Sequence, residues 1–120
     1  MIKNENDFEK LLDCKCIVEP LVDIQKEIAV VVARNPSGEV KAFPVAEMEF
    51  NPTANLVEYL MCPSNISSTI AQKAKEIAIA TIEAFGLCGL LAVELFLTND
   101  NEILINEVAP RPHNLSLIHI

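Results

Sequence analysis

Two glutamates are the residues of this sequence best placed to do chemistry. Glu94 stands inside residues 90–97, an apolar run that predicts a strand buried on both faces. Strand alternation puts its side chain on the same face as Ala92 and Phe96. A lone carboxylate in such surroundings loses hydration free energy on the order of several kcal/mol. We therefore expect a proton or a cation beside Glu94.

A hairpin brings a second glutamate to the first. Asn99-Asp100-Asn101 separates predicted strands over residues 88–97 and 102–108. A two-residue turn at Asp100 and Asn101 sets the register, which is Leu97 with Leu104, Leu95 with Asn106 and Glu94 with Glu107. Directly opposed residues have Cβ atoms roughly 4.5–5.5 Å apart. Two carboxylates at that separation repel each other unless they share a proton or a cation.

A divalent metal held by both carboxylates resolves this repulsion. Magnesium suits the pair best, with manganese as its substitute, because it takes one or two carboxylates and fills its other positions with water and phosphate oxygens. An alternative stays open, in which Glu94 forms a structural salt bridge with Lys26, Lys41 or Arg34. A three- or four-residue loop would also shift the register.

Polar residues stand on both sides of the second glutamate. The amide of Asn106 can complete a phosphate or metal shell, or make a turn or edge hydrogen bond. Residues 110–114 read Pro-Arg-Pro-His-Asn, and prolines stiffen such a loop. The Arg111 guanidinium can fork onto carboxylate or phosphate, and His113 can assist proton transfer. A rigid, solvated loop is the alternative.

The elements that must hold these residues form an α+β layer. Helical spacing predicts one long helix over residues 67–85, capped by Ser64 or Ser67 and ended by Gly86. A short helix is expected up to Asp13, capped by Asn6 or Asp7. Further strands are predicted over residues 16–19, 26–34, 39–46 and 56–61, with a turn at 35–38. The expected fold is a mostly antiparallel sheet covered by the long helix.

Composition limits the classes of function. The 120 residues suffice for one domain, and the net charge of −8 with nine scattered basic residues disfavours nucleic acid as a partner. Neither a secretory leader nor a membrane-spanning run is visible, so we expect a soluble, cytoplasmic protein. No Cys-x-x-Cys pair is present, and we interpret the cysteines as reduced, small hydrophobic residues; they are Cys14, Cys16, Cys62 and Cys88.

Two segments resemble a known family. Residues 89–96 read Gly-Leu-Leu-Ala-Val-Glu-Leu-Phe, and residues 105–114 read Ile-Asn-Glu-Val-Ala-Pro-Arg-Pro-His-Asn. Together they resemble the ATP-grasp core of the N5-carboxyaminoimidazole ribonucleotide synthetases, and the likeness covers about residues 4–114. The second segment is specific to that family, whereas Ala-Val-Glu is shared widely among ATP-grasp proteins.

The resemblance implies an enzyme of purine biosynthesis. It would carboxylate 5-aminoimidazole ribonucleotide with bicarbonate and ATP, through carboxyphosphate, and would act as a homodimer. The metal ligands implied are Glu94 and Glu107. Residues implied at the nucleotide are Glu19, Pro20, Leu21 and Val22 along the adenine, Glu27 on the ribose, and Asn106 with Glu107 at the phosphates. Those implied at the bicarbonate and ribonucleotide, as catalytic residues, are Arg111, His113 and Asn114.

The sequence also departs from the family. Residues 115–120 read Leu-Ser-Leu-Ile-His-Ile where the family usually continues Asn-Ser-Gly-His, and a common sequencing adapter encodes this string. Our hypothesis is a partial ATP-grasp domain over residues 1–114 followed by a non-native tail. The phosphate-covering lysines and glycine-rich loop of the family would precede Met1, so we expect this piece alone to be inactive or a weak nucleotide binder. Another ATP-grasp carboxylate–amine ligase, using formate or biotin, and a non-catalytic β-rich interaction module remain alternatives.

Overall fold

The computed structural model describes residues 4–11, 13–51, 53 and 57–111. A 3-10 helix over Glu5–Lys10 comes first among them. The elements that follow are β1 (Ile24–Arg34), β2 (Val40–Ala42), β3 (Ala46–Phe50), β4 (Val57–Met61), α1 (Ser68–Ala84), β5 (Gly89–Thr98) and β6 (Ile103–Ala109). The strands form one sheet in the order β4-β3-β1-β5-β6, with β2 also paired to β1. Every pairing is antiparallel, and the predicted α+β architecture is confirmed.

One face of the sheet packs against α1 and forms the core. In β1 and β5, alternate residues point to this face, because successive strand side chains lie on opposite sides. Seven large side chains of the core are almost fully buried, and each contributes roughly 1.5–3 kcal/mol by leaving water. They are Ile28, Val30, Val32, Ile82, Leu91, Val93 and Leu95.

Helix α1 confirms the predicted long helix. Its N-cap is Ser67, whose hydroxyl accepts a hydrogen bond from the Ile70 N–H at 3.3 Å. Ala74 and Ala78 are fully buried, and their small side chains let the helix lie close to the strands. The helix ends at Ala84 with Phe85 as its C-cap, and Gly86 follows with φ of +60°, a conformation that favours glycine.

The other face of the sheet is the open face, named for the absence of α1 from it. Cross-strand register assigns to it Glu27, Ala29, Met48, Ala92, Glu94, Phe96, Leu104 and Glu107. Glu94 and Phe96 are only partly buried. Among the described residues, the predicted burial of residues 90–97 on both faces is therefore wrong for these two side chains.

Three local predictions differ from the structure. Residues 16–19 form no strand, and Ile17 is 89% exposed. The predicted strand over residues 39–46 is divided into β2 and β3, because Pro44 has no N–H for a ladder hydrogen bond. The first helix is capped by Asn4 instead of Asn6 or Asp7, and Asp7 completes a capping box.

The predicted turn is confirmed, whereas the interpretation of the cysteines is not. At the turn over residues 35–38, the Gly38 N–H donates to the Asn35 carbonyl at 3.0 Å, as the sequence predicts. All four cysteines lie within the described residues; none of them forms a disulfide and all are exposed, which does not support their interpretation as small hydrophobic residues. Across the described part of the chain, no helix combines the length and apolar character needed to cross a bilayer.

Candidate functional site

The tip of the β5–β6 hairpin differs from the predicted two-residue turn. Three residues, Asn99 to Asn101, connect Thr98 to Glu102, whose carbonyl accepts the Thr98 N–H at 2.9 Å. Asn101 takes φ of +61°, and asparagine tolerates this left-handed conformation better than most residues. The Thr98 hydroxyl accepts the Glu102 N–H at 3.0 Å and closes the loop. A three-residue loop of this kind is common in hairpins.

The longer loop shifts the register beside it by one residue. Leu97 pairs with Ile103, Phe96 with Leu104 and Leu95 with Ile105, so the predicted partners of Leu97 and Leu95 are wrong. A β-bulge then inserts Asn106, and beyond it Glu94 lies opposite Glu107, as predicted. The loop and the bulge each displace the pairing by one residue, and the two displacements cancel at the carboxylates.

The bulge changes the residue that Asn106 opposes across the strand pair. In a β-bulge two residues of one strand face a single residue of its partner. Asn106 and Glu107 therefore both oppose Glu94, whereas the predicted register would have put Asn106 opposite Leu95 on the helix-covered face. An amide and two carboxylates meet at one point of the open face.

A cleft of about 310 Å³ lies beside this point. Its lining residues are Glu19, Pro20, Val22, Phe96, Leu104, Ile105 and Asn106. The structure thus joins the predicted adenine segment to the predicted phosphate residue, although Leu21 does not line the cleft. Phe96, Leu104 and Ile105 were not predicted as site residues. Strand alternation with Glu94 was the signal that could have identified Phe96.

Glu27 lies in a neighbouring opening of about 340 Å³, formed by the start of β1 and by β3. Its pKa is raised, first because burial disfavours the charged form and second because the Glu94 carboxylate repels that charge. Glu27 and Glu94 occupy positions two residues apart in register, on opposite strands of the open face. The predicted ribose ligand and the predicted metal ligand are therefore electrostatically coupled.

The proposed cationic partners of Glu94 have contacts elsewhere. Lys26 pairs with Glu47 and donates to the Asn65 carbonyl at 3.2 Å, on the helix-covered side of the sheet. Lys41 pairs with Glu39 at 3.2 Å.

Arg34 is just as remote from Glu94. It lies opposite Gly89, five residues along β1 from the partner of Glu94, which is about 16 Å for an extended strand. The described contacts of all three cations argue against the salt-bridge alternative.

The donor set fits a cation that needs few protein ligands. Glu94 is partly buried and Glu107 is exposed, so solvent and substrate oxygens can reach both. Within residues 4–11, 13–51, 53 and 57–111, no three His, Cys, Asp or Glu side chains group as metal ligands. Two carboxylates suit Mg²⁺, which takes one or two carboxylates and fills its other positions with water and phosphate oxygens.

Of the predicted catalytic residues, the structure describes Arg111, which follows the end of β6. Arg111 is exposed, two residues beyond the strand, and its N–H donates to the Ala109 carbonyl at 2.9 Å. Ala109 pairs with Ala92, so the strand leads Arg111 past the carboxylate pair. His113 and Asn114 lie outside the described residues, as do residues 115–120.

Comparison with known proteins identifies the family of this chain. The family model described as the ATP-grasp domain matches residues 1–119. The chain belongs to the ATP-grasp family. Its similarity to N5-carboxyaminoimidazole ribonucleotide synthase of Bacillus subtilis is 41% identity over 118 residues, which is 95% of this chain and 30% of that protein. Phosphoribosylaminoimidazole carboxylase of Candida albicans is 40% identical over 110 residues, 92% of this chain and 19% of that one.

Two solved structures are similar to this chain in fold. N5-carboxyaminoimidazole ribonucleotide synthetase of Thermotoga maritima matches 95% of this chain and 29% of its own, with a TM-score of 0.85 and 41% identity. The Aspergillus clavatus synthase in complex with ADP and 5-aminoimidazole ribonucleotide matches 79% of this chain and 25% of its own, with a TM-score of 0.72 and 32% identity. This ATP-grasp chain spans less than a third of each of these proteins.

Proposed function

We propose that this chain supplies the metal ligands and one wall of the nucleotide site in an ATP-dependent ligase. The ligase carboxylates 5-aminoimidazole ribonucleotide with bicarbonate to N5-carboxyaminoimidazole ribonucleotide. The observation that carries the proposal is the opposition of Glu94 and Glu107 beside a cleft that reaches Asn106. The names of the similar proteins support the choice of substrates, and one similar structure holds both ADP and 5-aminoimidazole ribonucleotide.

The reaction divides into two group transfers. Bicarbonate oxygen attacks the γ-phosphorus of ATP, ADP leaves, and carboxyphosphate forms. The exocyclic amine of the ribonucleotide then attacks the carboxyl carbon, inorganic phosphate leaves with the bonding electrons, and the amine loses a proton. A Mg²⁺ ion bound by Glu94 and Glu107 would neutralise charge on the phosphate oxygens.

The other residues of the chain position the substrates. Residues 19–22 follow the adenine with backbone groups, and Phe96 adds an apolar surface to the same cleft. The Glu27 carboxylate accepts hydrogen bonds from ribose hydroxyls, and the Asn106 amide donates to phosphate oxygens. The resemblance to the synthetases supports a role for Arg111, His113 and Asn114 in binding bicarbonate and the ribonucleotide. We further propose that the complete ligase is a cytoplasmic homodimer that does not bind nucleic acid.

The test compares glutamate variants of the longer ligase that contains this chain. We expect Glu107→Gln and Glu94→Gln to lower Mg²⁺-dependent turnover at least about 100-fold, because each removes charge stabilisation from the transferred phosphoryl group. Glu83→Gln is the matched control, since Glu83 is exposed on α1 and far from the open face. Circular dichroism checks that all three variants keep the fold. Equal turnover in all three would favour a non-catalytic interaction module.

A second assay separates this ligase from other ATP-grasp enzymes. ADP release is measured with 5-aminoimidazole ribonucleotide and bicarbonate, with formate in place of bicarbonate, and with biotin in place of the ribonucleotide. We expect ADP release only in the first mixture. Turnover with formate or biotin, and none with the first mixture, would assign a different carboxylate–amine ligase.

A further inference from the structure

Two exposed thiols lie next to each other before the cleft. Cys14 and Cys16 are separated by one residue, and their Sγ atoms are 3.8 Å apart. The Cys16 thiol also donates to the Cys14 carbonyl, with a separation of 3.3 Å. Both side chains are open to solvent, unlike the thiols of a packed core. The role proposed for the carboxylates uses neither residue.

The spacing of the two sulfur atoms matches that of two ligands on one tetrahedral cation. Zinc–thiolate bonds are about 2.3 Å long, and two such bonds at the tetrahedral angle separate their sulfurs by about 3.8 Å. A disulfide needs about 2.05 Å, so the thiols would have to move much closer to form one. The observed separation needs no such movement for metal binding.

We propose that Cys14 and Cys16 form a bidentate thiolate site for a thiophilic divalent cation, of which Zn²⁺ is the common example and Cd²⁺ a spectroscopic probe. Two thiolates leave two positions of a tetrahedral cation to other ligands. The site is chemically distinct from the carboxylate pair, because Mg²⁺ takes oxygen ligands whereas Zn²⁺ and Cd²⁺ favour sulfur.

The thiols lie just before the segment that forms one wall of the cleft. Cys16 precedes Glu19, the first wall residue of the cleft, by three residues. The intervening Ile17 and Val18 are 89% and 79% exposed and form no strand. A cation that ties Cys14 to Cys16 therefore restrains the segment that leads into the cleft wall.

Cadmium titration of the reduced 120-residue chain tests the proposal directly. The ultraviolet charge-transfer absorption of cadmium thiolate reports binding, and we expect one ion per chain. Cys14→Ser and Cys16→Ser should each weaken binding at least 10-fold. Cys62→Ser and Cys88→Ser are matched controls, since both residues are also exposed and free, and should leave the affinity unchanged.

The protons released on binding count the thiols involved. Each thiol that becomes a ligand gives up its proton, so a two-thiol site releases more protons per bound cation than the same site in either single-serine variant. Equal proton release by the parent chain and by Cys14→Ser, or equal losses of affinity in all four serine variants, would overturn the proposal. So would the lack of a charge-transfer band at millimolar Cd²⁺.

Discussion

The two faces of the sheet are made from the same strands and differ in almost every property. Leu91, Val93 and Leu95 of β5 are almost fully buried under α1. Glu94 and Phe96, which alternate with them, are partly exposed on the open face. The first face holds the fold together through apolar burial, and the second leaves carboxylates and an aromatic ring available to a ligand.

This contrast teaches that stability and binding can be assigned to single residues of one strand. Successive residues of β5 advance by only about 3.3 Å along the strand, yet they meet different surroundings, because strand side chains alternate between faces. A substitution on the covered face should therefore act on folding. A substitution of the partly exposed Glu94 or Phe96 on the open face should act on the ligand.

The largest expected difference is between Leu95→Ala and Phe96→Ala. Leu95 is fully buried, and we expect its truncation to lower the free energy of unfolding by about 3–5 kcal/mol, as the lost burial and the cavity add. For the partly exposed Phe96 we expect less than about 2 kcal/mol, with weaker ATP binding in the longer ligase. Urea denaturation and ATP titration measure the two effects. Equal losses of stability would contradict the assignment of the faces.

Asn106 offers a test at the point where the open face departs from a regular ladder. Asn106→Ala keeps the bulge and removes only the amide, so KM for ATP should rise about 10-fold through loss of a hydrogen bond to a charged phosphate. Deletion of Asn106 places Glu107 directly after Ile105, where an uninterrupted ladder still puts it opposite Glu94.

The deletion should raise KM by at least the same factor while the chain stays folded. An unchanged KM in both variants would remove Asn106 from the site. Far-ultraviolet circular dichroism of the two variants provides the control for folding.

The smallest expected effect concerns Glu27. Since its pKa is raised in the folded chain, the favourable contribution of its protonated form is fully present below the unfolded pKa, near 4.5, and is lost as pH rises through the folded pKa. Glu27→Gln should therefore be more stable than the parent at pH 7, by less than about 1 kcal/mol, and this advantage should disappear by pH 4. Thermal unfolding without divalent metal at the two pH values measures it. A variant that is less stable at pH 7 would contradict the repulsion from Glu94.

Elements with strong periodic patterns could be predicted from the sequence. Helix α1 and the turn over residues 35–38 follow from helical spacing, the Ser67 cap and the need for positive φ at Gly38. Opposition of Glu94 and Glu107 was predicted through a register that is wrong near the turn. Loop length depends on whether Asn101 adopts the left-handed conformation, which local composition does not decide.

Other features depend on contacts that the sequence does not display. Cys16-Ile17-Val18-Glu19 has the composition of a strand, but residues 16–19 pair with no strand of the described chain. The cleft requires Glu19 and Phe96, distant in sequence, to line one opening. Secondary-structure propensity describes a single segment, whereas a binding site forms where several segments pack together.

The insertion at Asn106 also changes how positions along β6 should be counted. Between the hairpin tip and Ile105, the odd-numbered residues of β6 lie on the helix-covered face. From Glu107 onward, the odd-numbered residues lie on the open face. A mutational scan that assumed one parity for the whole strand would assign Glu107 to the core. A sequence alignment of relatives that is anchored at the hairpin tip would make the same wrong assignment of faces. An alignment anchored at Glu94 and Glu107 would avoid it.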